Sequence, residues 1–150
     1  METLSIYMES KQKRRMKIDS DKTQINASTE EVFNFLANAE NIEKLLPQND
    51  VKDFKGTQTE CSFKVQGGIT ISLLQEELKP HNAIHMKSGE KSPFPFNLVI
   101  HLKENGDKTE GYIAFDGEVN AFLSMMVKKP LTNLFNYMSN KLVSALNTEN

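Results

Sequence analysis

From Val51 to Val119 apolar and polar residues alternate, and turn residues break the alternation at short intervals. A period of two marks strands with one buried face. Thr59, Cys61, Phe63 and Val65 alternate with Glu60, Ser62, Lys64 and Gln66. Beyond Gly67-Gly68, Ile69, Ile71 and Leu73 alternate with Thr70 and Ser72. These two apolar sets must share a face. A two-residue turn at Gly67-Gly68 would set Phe63 against Ser72. The pattern therefore predicts a three-residue or bulged turn with a glycine at positive φ, setting Val65 opposite Ile71 and Phe63 opposite Leu73. Ile84, Met86 and Ser88 continue the period, and Phe94, Phe96, Leu98, Ile100 and Leu102 mark one face of a long strand. Asn105-Gly106 is the strongest hairpin signal in the chain. A two-residue turn there pairs Leu98 with Ile113 and Phe96 with Phe115.

Outside this run an extended segment comes first and the period is then helical. Met16–Ile25 reads as an extended, weakly apolar edge strand. Ser28 and Glu31 then form a capping box ahead of Val32, Phe33 and Leu36. A second short helix carries Ile42, Leu45 and Leu46 on one side and stops at Pro47. The closing segment, Asn120–Leu146, places Leu123, Val127, Leu131, Leu134, Tyr137, Met138, Leu142 and Ala145 on one side. Lys129, Thr132, Asn133, Asn136, Ser139 and Asn140 lie on the other. Pro130 should kink this helix or open its second half. One amphipathic sheet and one wide-faced helix must cover each other. The fold class is α+β: a curved antiparallel sheet of about seven strands around a long C-terminal helix, with two short helices between the first and second strands.

Composition narrows the field. The chain has 150 residues, with 18 Lys+Arg against 20 Asp+Glu, for a net charge of −2. No charge excess points to nucleic acid. The single cysteine excludes an intrachain disulfide and suits a reducing compartment. No apolar run approaches the ~20 residues needed to span a bilayer, so stable membrane insertion is not expected. The first residues lack the layout of a secretory signal. The expectation is a cytoplasmic protein, monomer or homodimer. Residues 1–15 read as a flexible arm ending in a basic run, and residues 16–150 as a single domain.

The segment Ile25-Asn26-Ala27-Ser28-Thr29-Glu30-Glu31-Val32-Phe33-Asn34-Phe35-Leu36 resembles the opening of the START/birch-pollen-allergen (SRPBCC) superfamily. Asn38–Pro47 resembles its second helix, and Pro130–Leu142 its closing helix. The Leu-Leu-Pro ending and the proline in the last helix look most like one branch of that superfamily. It holds polyketide-cyclase-like proteins and proteins like the G subunit of carbon monoxide dehydrogenase. The resemblance implies a helix-grip fold with a cavity between concave sheet and last helix, usually holding a lipid, sterol or polyketide. It implies no Rieske-type centre, because the paired cysteines and histidines are missing.

With that cavity, Phe63, Ile71, Leu73, Met86, Phe96, Leu98, Phe115, Leu134, Tyr137 and Met138 would line a site for an apolar ligand. Pro130 and the loop Ser92–Pro95 would gate it. Methionines at 86, 125, 126 and 138 suit variable contents but also merely fill gaps. Tyr137 and Lys141 could hold a polar head, as could Tyr112 if a twist turned it inward. Chemistry is harder to find. His81 and His85 are spaced to share a strand face, with His101 across from them, but that face should be solvent and no metal site is expected. Cys61 reads as a buried, inert thiol. Glu76 and Glu77 point to opposite faces, and Asp116 and Glu118 face solvent. No catalytic residue and no cofactor is expected. The first expectation is binding or carriage of an apolar small molecule such as a lipid, isoprenoid or polyketide. The alternatives are a cyclase- or dehydrase-type enzyme, and an interaction or assembly module marked by an exposed patch at Phe122, Met125 and Met126, which would leave a protein partner open.

Overall fold

A computed structural model describes residues 13–65 and 67–146. Strands β1 (Lys13–Asp19) and β2 (Thr23–Ile25) lead into helix α1 (Thr29–Leu36) and a 3₁₀ helix (Ala39–Leu45). Six strands follow: β3 (Val51–Gly56), β4 (Glu60–Val65), β5 (Ile69–Lys79), β6 (Ala83–Ser88), β7 (Phe96–Asn105) and β8 (Lys108–Asn120). Helix α2 (Ala121–Ala145) closes the chain. The sheet is antiparallel in the order β1-β8-β7-β6-β5-β4-β3, with β2 also pairing with β8. This is the helix-grip fold. Residues 1–12 of the expected arm lie outside the described residues. Lys13–Arg15, read as the end of that arm, are strand, because each pairs with β8 between Glu118 and Asn120.

The local signals act as their chemistry requires. Ser28 Oγ accepts the Glu31 backbone N–H at 3.1 Å and donates to the Glu31 carboxylate at 3.2 Å, which caps α1. The connection between Val65 and Ile69 has three residues, and Gly67 and Gly68 both take positive φ, as expected. Its register is two residues from the expected one: Phe63 faces Ile71 and Cys61 faces Leu73. The second hairpin also slides by two. Its tight turn is Gly106-Asp107, with Gly106 at φ 66, and Asn105 pairs with Lys108. Glycine takes the first central position, the only one here that needs positive φ, which is the pattern of a II′ turn. Phe96 therefore faces Gly117 and Leu98 faces Phe115, not Phe115 and Ile113. Both slips are even, so every side chain keeps its expected face.

The core fills the concave side of the sheet. Phe94, Phe96 and Phe115 pack ring to ring, and Phe115 meets Phe135 of α2 at 5.1 Å between centroids. Gly117 makes room for them: a Cβ there would come within 3.1 Å of Phe94 and 3.2 Å of Phe115. α2 runs unbroken through Pro130. The proline cannot bond the Met126 carbonyl, but Met126 is exposed and water can take its place.

The expected helix face needs correction. Tyr137 is 42% exposed, while Phe135 and Ser139 are buried. The expected strand Met16–Ile25 is broken at Ser20–Lys22, and α2 binds into that break. Ser139 Oγ donates to the Asp21 carbonyl at 2.7 Å. Thr23 Oγ1 donates to the Ser139 carbonyl at 3.1 Å. Asn136 Oδ1 accepts the Asp21 N–H at 2.8 Å, and Asn140 donates to the Asp21 carboxylate at 3.1 Å. These bonds draw Ser139 inward from the polar side on which its residue type had placed it.

Two outcomes follow for urea unfolding. Ser139→Ala removes the hydroxyl bond to the Asp21 carbonyl and should cost about 1 kcal/mol. Phe115→Ala should cost about 3–5 kcal/mol, because it removes the ring shared by the sheet and α2. A Ser139→Ala midpoint equal to the parent's would show that the break does not anchor the helix.

Candidate functional site

Pro47 just after the 3₁₀ helix, Val51 at the start of β3 and Val65 at the end of β4 come together. The middle of α2 passes beside them. Between them is an open cleft of about 460 Å³, walled by Pro47, Val51, Val65, Pro130 and Leu134. Asp50, Gly67, Lys129, Asn133 and Tyr137 line it as well. A smaller recess of about 350 Å³ shares Asp50, Val65 and Gly67 and adds Lys52 and Lys64. These lysines are cross-strand partners, so two like charges stand side by side next to the cleft. Beyond Lys52 the register of β3 shifts and Asp53 takes φ 57, a bulge in the edge strand.

Two of the ten residues expected to line a site, Leu134 and Tyr137, are on this cleft. Phe63, Ile71, Leu73, Met86, Phe96, Leu98, Phe115 and Met138 are buried together in the core. Pro130, expected as a gate, lines the cleft. The Ser92–Pro95 loop is not among its lining residues: Ser92 Oγ accepts the Ser72 N–H at 2.9 Å, and Phe94 is buried. Pro47, Val51, Val65, Lys129 and Asn133 carry no site signal in the sequence pattern. Pro47 and the Gly67 turn were legible as element ends, but periodicity does not say which ends meet.

The candidate reactive groups are held away from the cleft. Tyr112 faces outward, stacked on His101 at 4.9 Å and covered by the Lys22 ammonium at 5.3 Å. His81 does not share the β6 face with His85. It lies on the β5–β6 turn at φ 67, its ring edge-on to Phe33 at 5.9 Å. No group of three or more His, Cys, Asp or Glu able to hold a metal occurs among the described residues. Asp116 is held by Arg15 in a 2.6 Å ion pair on the outer face, which lowers its carboxyl pKa. Cys61 is buried, and loss of solvent pushes its thiol up to about 12, with Glu60 adding to the effect.

Two solution tests follow. Iodoacetamide at mildly alkaline pH should alkylate Cys61 far more slowly in the native protein than in urea, read by intact mass; equal rates would contradict an inert thiol. His101 is pushed below its ordinary 6.5 by burial first and by His85 second. The unfolded chain then binds the proton more tightly, so this stabilising contribution is complete above about pH 6.5 and is lost as pH falls through the folded value. His101→Gln should flatten the fall in unfolding free energy between about pH 7 and 5.

Comparison with solved structures supports the same fold. A START superfamily protein from Mycobacterium smegmatis superposes with a TM-score of 0.67 at 14% identity, covering 87% of this chain and 96% of its own. A Thermus thermophilus protein gives 0.68 at 16%, covering 87% and 97%. Truncated norcoclaurine synthase from Thalictrum flavum gives 0.70 at 13%, covering 93% and 98%. No curated protein matches the chain by sequence. The family model for CoxG, the G subunit of carbon monoxide dehydrogenase, matches residues 22–149, from β2 through α2. The chain belongs to this carbon monoxide dehydrogenase CoxG family.

Proposed function

We propose that the chain binds an apolar small molecule, of lipid, isoprenoid or polyketide-like type, with its body in the cleft beside α2. The observation that carries this reading is the cleft itself. Its volume of about 460 Å³ lies within the roughly 300–1,000 Å³ of small-molecule sites, and its walls are aliphatic side chains and prolines. Membership of a family built on the START-like scaffold supports ligand binding in the same way. Tyr137, Asn133 and Lys129 would meet any polar end of the ligand. Leu134 is buried and lines the cleft at once. A ligand longer than the cleft would reach Phe63, Met86, Phe115 and Met138 by displacing it.

A cyclase- or dehydrase-type reaction needs an acid or base held against the substrate. Asp50, Lys129 and Tyr137, the titratable groups on the cleft, are all open to solvent. Binding asks less of these residues than catalysis does.

Filling the cleft tests the reading. Val51→Trp and Asn133→Trp replace residues that are not fully buried, so the fold should survive, with circular dichroism as the check. A dansyl-labelled fatty acid should bind the parent protein, and each variant should bind it about tenfold more weakly or worse. If the parent gives no fluorescence enhancement and native mass spectrometry of gently purified protein finds no ligand, the reading fails. Unchanged affinity in both variants would move the site elsewhere.

A further inference from the structure

We propose that the molecule held in the cleft is an amphiphile with an anionic head, and that Lys52 and Lys64 take that head in the recess beside the cleft. This rests on the cleft reading and adds the class of ligand to it. Val51 and Val65 are cross-strand partners that wall the cleft. Lys52 and Lys64 are the next pair along the same two strands and line the recess. Successive residues of a strand point to opposite faces, so apolar and cationic contacts lie on the two sides of one strand end. The two spaces meet at Asp50, Val65 and Gly67, which line both. Gly67 puts no side chain on the rim, and a Cβ there would meet nothing within 4 Å. A chain leaving the cleft can turn over this open rim to the lysines.

The charges are placed for an anion. Opposed side chains of an antiparallel pair stand about 5 Å apart at Cβ, and like charges there destabilise the sheet. Neither lysine has an ion-pair partner among the described residues. Lysine on β3 protects a sheet edge, but Lys64 is on β4, an inner strand with no edge to protect. Lys129 adds its charge from the α2 side of the cleft. Against these three cations stands one carboxylate on the two linings, Asp50. The chain as a whole carries a net charge of −2, so the cationic excess is local. An anion seated between Lys52 and Lys64 turns their repulsion into two charge-assisted contacts. A neutral head gains neither. A carboxylate and a phosphate share this chemistry.

The test compares dansylaminoundecanoic acid with its methyl ester on the full chain. The parent should bind the acid about tenfold more tightly than the ester at low salt, and added salt should narrow the gap. Lys52→Gln/Lys64→Gln should bind acid and ester alike, while Lys52→Arg/Lys64→Arg should keep the preference. Removing a repelling pair should leave the urea midpoint of the glutamine variant at or above the parent's. Dodecanoate and dodecyl phosphate, below their micellar concentrations, should both displace the acid, and the stronger of the two identifies the head as carboxylate or phosphate. Inorganic phosphate alone should not displace it, because it lacks the apolar body. Equal affinity of the parent for acid and ester, with both weakened in Val51→Trp, overturns the anionic head and leaves the cleft reading standing. If the parent binds neither probe, both readings fall. A preference that survives the glutamine variant, a lowered midpoint in that variant, or displacement by inorganic phosphate also overturns the proposal.

Discussion

The position of α2 over the sheet depends on one polar contact, where the buried Ser139 meets the break between β1 and β2. A long amphipathic helix on a smooth apolar surface can roll or slide by a residue at little cost, because dispersion contacts are many and individually weak. Hydrogen bonds to the backbone of a strand break are directional and tolerate no such slip. Asp21 offers its N–H, carbonyl and carboxylate to Asn136, Ser139 and Asn140, one turn of helix. Ser20 replaces the lost ladder on the other side, with its N–H donating to the Ile113 carbonyl and its hydroxyl accepting the Ile113 N–H, both at 2.8 Å. Ser20 and Asp21 are thus bonded across the break, and its cost in sheet pairing is offset by fixing the helix.

With that rotation set, the placement of every other α2 residue follows. Val127, Leu131, Phe135 and Leu142 turn into the core, and the opposite stripe, from Phe122 through Lys129 and Asn133, is left uncovered. β8 runs directly into the helix through Asn120, whose side chain caps it by accepting the Leu123 N–H at 2.7 Å. The start of α2 and the cleft are thus positioned by the same strand that carries Phe115.

The fold was legible because the signals that specify it are local. Strand alternation, the capping box, glycine turns and the helix face each act over a few residues. Where the reading slipped, at Gly67-Gly68 and Gly106-Asp107, it slipped by an even number and left the faces intact. Ser139 was not legible: a serine's type predicts solvent, and its carbonyl and hydroxyl partners are more than 100 residues away. The cleft was hidden for a related reason. The apolar residues that pattern most strongly, such as Phe63, Ile71 and Phe115, are the ones the core consumes. The wall of the cleft comes instead from residues at element ends, Pro47, Val51 and Val65, and a local pattern does not say which ends meet.

This division bears on what the scaffold can recognise. A core packed with interlocked aromatic rings resists change, and losing one ring from it costs several kcal/mol. The rim is built from exposed or half-buried side chains on a bulged edge strand, a glycine turn and one helix face, and substitutions there cost little stability. Burial of apolar ligand area against such a rim contributes roughly 25 cal/mol per Å², without direction. On the proposed reading, specificity would come from the few polar groups at its edge, Lys129, Asn133, Tyr137 and the Lys52–Lys64 pair. The division is not complete, because Val65 and Leu134 belong both to the core and to the wall of the cleft, so a change at either is felt by both.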